Sequence, residues 1–435
     1  MSYQSVTAVG VKIWGEEVGA LALDPKSGFY VFEYDKAWIE HGQELAPINM
    51  PLGPRKYIFP DLGIEKFQRL PAMIADALPD SFGNSVVNAY LAEQGILLNE
   101  ISVLDRLAYI GDRAMGALTF YPPRGEEALE STAIHLADLV SAAKSVVSGQ
   151  LGGEEENRDA IRQLIQVGTS AGGARPKALI AYDPKTQFIR SGQIDALPGY
   201  EQWLIKFDGV LGNTASGNVD LMTPGEFCRT EYAYYLMARD AGIDISDSML
   251  LPEGDRAHFM TKRFDRGLNN ARIHLQSLCA MAHLDYGMIA THSYAQYFQT
   301  IDALKLGAEA KQEAFRRMVF NVVALNRDDH TKNFAFLMPQ GAPWKLAPAY
   351  DLTYAHDEQN KWIKNHLMAV NGKFEGISLA DLRTVGDKFL IQDREVIITQ
   401  VFEAVSKWQD FAKIAGVSPE RTLEIQRDLT AHKPE

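Results

Sequence analysis

The chain has 435 residues, 46% of them apolar, and a formal net charge of -13. That length corresponds to two or three domains with sizeable cores. The acidic balance argues against a protein that wraps nucleic acid with its own surface, because neutralising phosphates takes clustered Lys and Arg. It leaves room for a basic partner. Cys228 and Cys279 are the two cysteines. Each sits in an apolar, helical-looking context, and two isolated thiols make no disulfide framework, so both read as reduced core residues. The first residues lack the basic and apolar regions of a secretory signal. The longest apolar runs, such as 319–320 with 322–325, fall far short of the ~20 residues that span a bilayer. A cytoplasmic protein with no membrane contact is expected.

Residues 8–34 form short apolar–polar runs separated by Gly and by Asp24-Pro-Lys-Ser-Gly28, the pattern of a small antiparallel sheet. Helices are expected over 74–78 leading into 84–93, and over 100–107. A strand over 113–121 then runs into Pro122-Pro123, which marks a boundary. Residues 134–148 and 158–166 have helical periodicity, and Glu154-Glu155-Glu156 reads as a solvated helix start or loop. Strands follow at 177–182, 187–191 and 202–207, with Asp183-Pro-Lys-Thr186 as the turn between the first two. A helix over 227–241 stops at Gly242, and 258–264 is strand-like. Beyond residue 270 the pattern is almost all helical. The clearest case is 312–325, where Phe315, Met318, Val319, Val322 and Val323 share one face. A short strand is expected over 334–338. The order is a small β-rich domain (1–125), a sheet with one helix (126–261) and a helical domain (262–435).

The helix over 312–325 runs straight into Asn326-Arg-Asp-Asp-His-Thr-Lys-Asn333, and Tyr350-Asp351-Leu352 follows. Asn333 stands five residues after Asp328, the D-x-x-x-x-N spacing of kinase catalytic loops, and Asp351 takes the place of the Asp in D-F-G. In that chemistry one carboxylate orients the attacking hydroxyl, while the amide and the second carboxylate hold magnesium. An Asx-rich turn explains any one of these residues alone; it does not explain the ordered set. A metallohydrolase site of Asp328, Asp329, His330 and Asp351 is a second chemical reading, but it leaves two further features without a role. One is Val167-Gly-Thr-Ser-Ala-Gly-Gly-Ala-Arg-Pro-Lys177, whose small residues let backbone N–H groups approach phosphate oxygens. It is not a Walker A loop, since Ala174 stands where the Lys belongs. The other is Lys206, flanked by Trp203-Leu-Ile and Phe207, which suits the phosphate-binding Lys of a kinase sheet. Glu231 or Glu226 on the next helix could pair with it.

Together these residues resemble the HipA family of bacterial serine/threonine kinase toxins. The likeness runs over nearly the whole chain. It includes Leu78-Pro-Asp-Ser-Phe-Gly83, Leu107-Ala-Tyr-Ile-Gly-Asp-Arg-Ala-Met-Gly-Ala-Leu118, the 169–177 loop, and Asn326-x-Asp-x-His-x-Lys-Asn333, the most specific motif. Lys262-Arg-Phe-Asp-Arg266 is similar to the family's hinge, where backbone groups receive the adenine. Lys262 stands where many relatives carry Glu. The resemblance implies an α+β, two-lobed protein-kinase-like (PI3/4-kinase-like) fold, with an N-terminal β-rich subdomain and an all-helical C-terminal lobe.

The resemblance also implies that Asp328 is catalytic, that Asn333 and Asp351 bind Mg2+, and that ATP lies against two groups of residues. The first is Gly172, Gly173, Ala174, Arg175, Pro176, Lys177, Lys206, Lys262, Arg263 and Phe264. The second is His330, Thr331, Lys332, Asn333, Tyr350 and Asp351. Ser170 would be autophosphorylated. Asp329 reads as an expendable neighbour of Asp328. The implied partners are a small helix-turn-helix antitoxin (HipB-like), operator DNA bound through it, and a protein substrate such as an aminoacyl-tRNA synthetase. A free-standing kinase-fold enzyme acting on a small molecule or another protein, without an antitoxin, stays open. So does a nucleotide-binding scaffold without catalysis, which the presence of Asp328, Asn333, Asp351 and Lys206 disfavours.

Overall fold

The structure, a computed structural model, describes residues 4–124, 136–148, 175–193, 195–210 and 226–435. The expected helix at 158–166 and the acidic run at 154–156 lie outside these residues. The first domain is an antiparallel sheet in the order β4-β3-β2-β1-β5, built from β1 (Ala8–Ile13), β2 (Glu16–Leu23), β3 (Tyr30–Tyr34), β4 (Lys56–Tyr57) and β5 (Leu118–Tyr121). Alternation does the sorting: Val9, Val11 and Ile13 of β1 are fully buried while their neighbours are not. The core under this sheet also takes in Cys279, Ala280 and Met338 from the far end of the chain. The first domain is therefore packed into the rest of the molecule and does not hang from a linker.

The central sheet runs β7-β6-β8-β10-β9, all antiparallel, from β6 (Lys177–Tyr182), β7 (Ile189–Ser191), β8 (Glu201–Lys206), β9 (Ser248–Glu253) and β10 (Arg256–Lys262). β6 and β8 are buried along almost their whole length, because helices cover the sheet. Ala178, Ile180, Trp203 and Ile205 pack with Phe82 and Val86 of the helix Ser81–Glu93 and with Leu139 and Val140 of the helix Leu136–Ser148. The opposite face presents Lys177, Leu179, Leu204 and Lys206, which the β6–β8 register places opposite one another in pairs. The helix Glu226–Asp240 lies against β10 through Cys228 and Tyr235 on Phe259. It ends as expected at Gly242, whose φ of +76° suits a residue without Cβ.

The largest core belongs to the C-terminal region, where the helices Tyr294–Ala303, Gly307–Val323, Leu379–Lys388, Arg394–Ser406, Trp408–Ala415 and Pro419–Ala431 meet. This region is not all-helical. It carries a three-stranded sheet, β11 (His274–Ser277), β13 (Ala335–Met338) and β14 (Lys345–Leu346), and a parallel pair, β12 (His292–Ser293) with β15 (Met368–Ala369). β13 falls where a short strand is expected over 334–338; β11, β12, β14 and β15, of two to four residues, are too short to show a period of two, which is why the sequence reads as helical there. Burial pushes both free cysteine thiols up to about 12, consistent with inert core residues. No helix among the described residues is long and apolar enough to cross a membrane.

Candidate active site

The helix Gly307–Val323 delivers the motif. It closes with Leu325 in the left-handed region (φ +53°) and with the Asn326 N–H donating to the Asn321 carbonyl at 3.0 Å. That is a Schellman-type stop, made here with Leu in place of the usual Gly. The Asn326 side chain also donates to Asn321 Oδ1 at 2.9 Å. The loop that follows is pinned rather than mobile: the Arg327 N–H reaches the Ala355 carbonyl at 3.0 Å, and Thr331 Oγ1 donates to the Leu284 carbonyl at 2.7 Å.

Asp328 and Asp329 have opposite surroundings. Asp329 is fully buried and accepts three hydrogen bonds, from Tyr294 Oη at 2.8 Å, His366 Nδ1 at 3.0 Å and the Leu367 N–H at 2.7 Å. The expectation of an expendable neighbour fails: Asp329 is the anchor that ties the loop to the core. Asp328 keeps 39% of its side chain exposed, accepts from Trp362 Nε1 at 2.7 Å, and has His330 Nε2 at 3.7 Å. Partial desolvation in the cleft holds its carboxyl above the usual range, against the pull of His330 and the Trp362 hydrogen bond.

Asn333 donates through Nδ2 to the Asp328 carbonyl at 2.8 Å, which leaves its amide oxygen as an acceptor. Asp351 sits in the left-handed region (φ +53°), a conformation that costs a non-glycine residue energy and that clusters at functional sites. Its Oδ1 meets Lys206 Nζ, which also contacts Glu231 Oε1 at 2.5 Å. The choice between Glu231 and Glu226 thus resolves to Glu231; Glu226 instead accepts from the Ser418 N–H at 3.4 Å. Burial works to raise Asp351, but Lys206 and then Lys177 outweigh it, and the carboxyl falls to about 2. Burial likewise works to lower Lys206, and its two carboxylates keep it charged instead.

The remaining expected site residues divide. Lys177 pairs with Asp80, Lys332 Nζ lies 4.0 Å from Asp76, and Tyr350 Oη donates to the Lys332 carbonyl at 2.7 Å. Tyr350 packs on Phe264 with ring centroids 5.6 Å apart, and His330 packs between Tyr286 and Trp362. Arg175 lies over the Phe227 ring and 3.9 Å from Glu231, while Pro176 accepts the Phe207 N–H. Two hinge residues are otherwise engaged. The Lys262 N–H and carbonyl bond Asp247 and Ser246, its Nζ bonds Glu201 at 2.6 Å, and the Arg263 N–H bonds the Gln202 carbonyl. The Arg263 guanidinium is buried in a bidentate pair with Asp265, so it braces the hinge from inside. Gly172, Gly173, Ala174 and Ser170 lie outside the described residues.

Asp76, Asp80, Tyr294, Trp362 and His366 were not singled out in the sequence as site residues. Only Asp80 carried any signal, as part of Leu78-Pro-Asp-Ser-Phe-Gly83. One other cluster among the described residues has metal-ligand proximity, His356 with Glu358 and His432. The Arg327 guanidinium, a cation, already donates to His356 Nδ1 at 2.8 Å, which places a positive charge where a metal ion would have to sit.

Comparison with known proteins fits this layout. The "HipA N-terminal domain" family model matches residues 9–121, and the "HipA-like C-terminal domain" model matches residues 169–430. A Sinorhizobium fredii protein named "Putative kinase Y4dM" is 24% identical over 98% of this chain and 99% of its own length. A Haemophilus influenzae protein named "Putative kinase" is 28% identical over 34% of this chain, a match that spans 49% of that relative. A chain of the Shewanella oneidensis MR-1 toxin–antitoxin complex of HipA, HipB and operator DNA shares the fold. Its TM-score is 0.65 at 15% identity, over 98% of this chain and 96% of that one. The second family model alone takes in more than half of the residues, and with the first it accounts for both ends of the molecule: the chain belongs to the HipA family.

Proposed function

We propose that this protein is an ATP- and Mg2+-dependent serine/threonine protein kinase and the toxin of a cytoplasmic toxin–antitoxin module. The observation that carries the reading is the Glu231–Lys206–Asp351 chain of ion pairs in the same cleft as Asp328 and Asn333. It matches the parts list of phosphoryl transfer, with a sheet Lys held by a helix Glu, a metal-binding Asp and amide, and a catalytic Asp. The two lobes would be the regions before and after residue 262, with the β-rich domain of residues 1–125 packed on both.

The donor set fits magnesium. Asp351 has one oxygen engaged by Lys206, and Asn333 keeps its amide oxygen, so two hard oxygen donors are available. Among the described residues four cations (Lys177, Lys206, Lys332, Arg175) stand against five carboxylates (Asp76, Asp80, Glu231, Asp328, Asp351). A cleft with that balance repels a bare triphosphate, so a divalent cation bound by Asp351 and Asn333 would supply the missing positive charge. Within the chain, Lys206 would hold the phosphates, and Tyr350 with Phe264 would give the base an aromatic surface. Asp328 would accept a hydrogen bond from the substrate hydroxyl and take its proton as the phosphoryl group moves. Trp362 orients Asp328 by holding one oxygen, leaving the other for that hydroxyl.

Family membership supports a protein substrate in the translation machinery, such as an aminoacyl-tRNA synthetase. It also supports a helix-turn-helix antitoxin that carries the acidic kinase to operator DNA. Ser170 would be the self-inactivating site: a phosphate there adds nearly two negative charges where ATP's own phosphates belong.

Incubating the purified chain with labelled ATP and Mg2+ tests the reading. Label should appear on Ser170, and Asp328→Asn should lower transfer by ~10³-fold. Turnover by Asp328→Asn equal to wild type would reject Asp328 as the base. Phosphorylated protein should bind ATP more weakly than Ser170→Ala, and equal binding removes the switch. Phosphoproteomics of cells expressing wild type against Asp328→Asn would name the substrate.

A further inference from the structure

Lys177 and Lys206 stand directly opposite each other across β6 and β8, and only 2% and 8% of them is exposed. Like charges at opposed strand positions destabilise a sheet, and an ammonium taken out of water needs a counter-charge nearby. Lys206 has Glu231 and Asp351. Lys177 meets an anion from a different part of the chain: Asp80 of the first domain, with Nζ to Oδ2 at 3.4 Å and both side chains almost wholly buried.

Asp80 is held in place. It is the N-cap of the helix Ser81–Glu93, and its Oδ1 accepts the Gly83 N–H at 2.7 Å. Oδ2 is buried and faces the lysine; burial raises the Asp80 carboxyl, and the Lys177 charge pulls against that rise. Four residues earlier, Asp76 accepts the N–H and hydroxyl of Ser277 at 2.7 and 2.8 Å while lying 4.0 Å from Lys332. Asp80 thus has one oxygen fixed by the fold and the other turned to a lysine of the cleft, whereas Ser277 holds both oxygens of Asp76 and Lys332 lies beyond Oδ1.

Building on the nucleotide reading above, we propose that Asp80 is a positioning residue for Lys177. With Asp76, it makes the first domain a working part of the phosphate-binding wall. Asp80 acts through Lys177 and does not touch the nucleotide. Its fixed carboxylate sets where the ammonium stands, so that Lys177 meets a phosphate beside Lys206 instead of swinging away from it. The first domain is then required for nucleotide affinity, not merely for attachment.

The test is calorimetric titration of the full chain with ATP and Mg2+ and, separately, with adenosine. Asp80→Asn keeps the helix cap, since Asn caps as well as Asp. Asp80→Ser, also a good cap, serves as the second variant. Both should raise the Kd for ATP about tenfold, which is about 1.4 kcal/mol. Adenosine, which has no phosphate for Lys177, should bind as in wild type and so certify a folded site. In a Lys177→Met background the Asp80 effect should vanish. ATP binding by either variant as tight as wild type overturns the proposal. So does a loss shared by adenosine, or one that persists without Lys177. Wild-type protein that binds neither compound brings down the nucleotide reading itself, and the proposal with it.

Discussion

The two walls of the cleft hold their charges in opposite ways. On the sheet wall each lysine faces a carboxylate: Lys177 meets Asp80, and Lys206 meets both Glu231 and Asp351. On the loop wall two adjacent acids part company. Asp329 is dry and takes three hydrogen bonds, whereas Asp328 takes one side-chain bond and stays open to solvent. The difference separates construction from chemistry. Charges that shape the site are paired and fixed, and the carboxylate that must take a proton is left with a free oxygen and a raised affinity for it.

The sharpest way to break this contrast is to exchange the fates of the neighbouring acids. Asp328→Asn should cost ~10³-fold in phosphoryl transfer and leave the unfolding free energy from urea titration within about 0.5 kcal/mol of wild type, as for a partly exposed polar change. Asp329→Ala should do the reverse to stability. It strands Tyr294, His366 and the Leu367 N–H in the interior, so equilibrium unfolding should show a loss of about 3 kcal/mol. Wild-type stability for Asp329→Ala would dissolve the distinction between anchor and base.

A second effect probes the sheet wall. Asp351 is held at about 2, below its ordinary 3.8. A depressed carboxyl contributes fully above its unfolded value and loses that contribution as pH falls through the folded one. Stability should therefore drop by on the order of 2 kcal/mol between about pH 4 and pH 2. Asp351→Asn should flatten that slope in acid titrations followed by circular dichroism. An unchanged slope would remove the Lys206 pair as its source. The smallest effect belongs to Trp362→Phe. Losing a hydrogen bond to the charged carboxylate should raise the Asp328 pKa further and move the acid limb of the pH–rate profile upward. Turnover should fall by roughly tenfold or less, about 1 kcal/mol; a limb that does not move means Trp362 merely packs there.

Much of the cleft was legible because its parts are local. Asp328 to Asn333 is one loop after an unmistakable amphipathic helix, and Lys206 sits mid-strand among bulky apolar residues. The supports were not legible, because they come from far along the chain. Trp362 reaches Asp328 from an irregular segment without periodicity, and Tyr294 and His366 reach Asp329 from separate elements. Asp329 itself was misjudged because polarity in a sequence does not reveal whether a side chain faces water. β11, β12, β14 and β15 were missed for a similar reason: strands this short owe their existence to partners, not to pattern.

The opposed register of Lys177 and Lys206 carries one more consequence. Side chains on a strand alternate faces, so moving β8 by one residue against β6 would carry Lys206 into the helix-covered core and bring Ile205 to the cleft. The constraint therefore falls on the register of β6 with β8 and not on the length of the chain that joins β7 to β8. Insertions or deletions between these strands are tolerable only if they leave the pairing of β6 with β8 in step. A change that shifts it by a single position would unwire the nucleotide site while leaving every residue named here in the sequence.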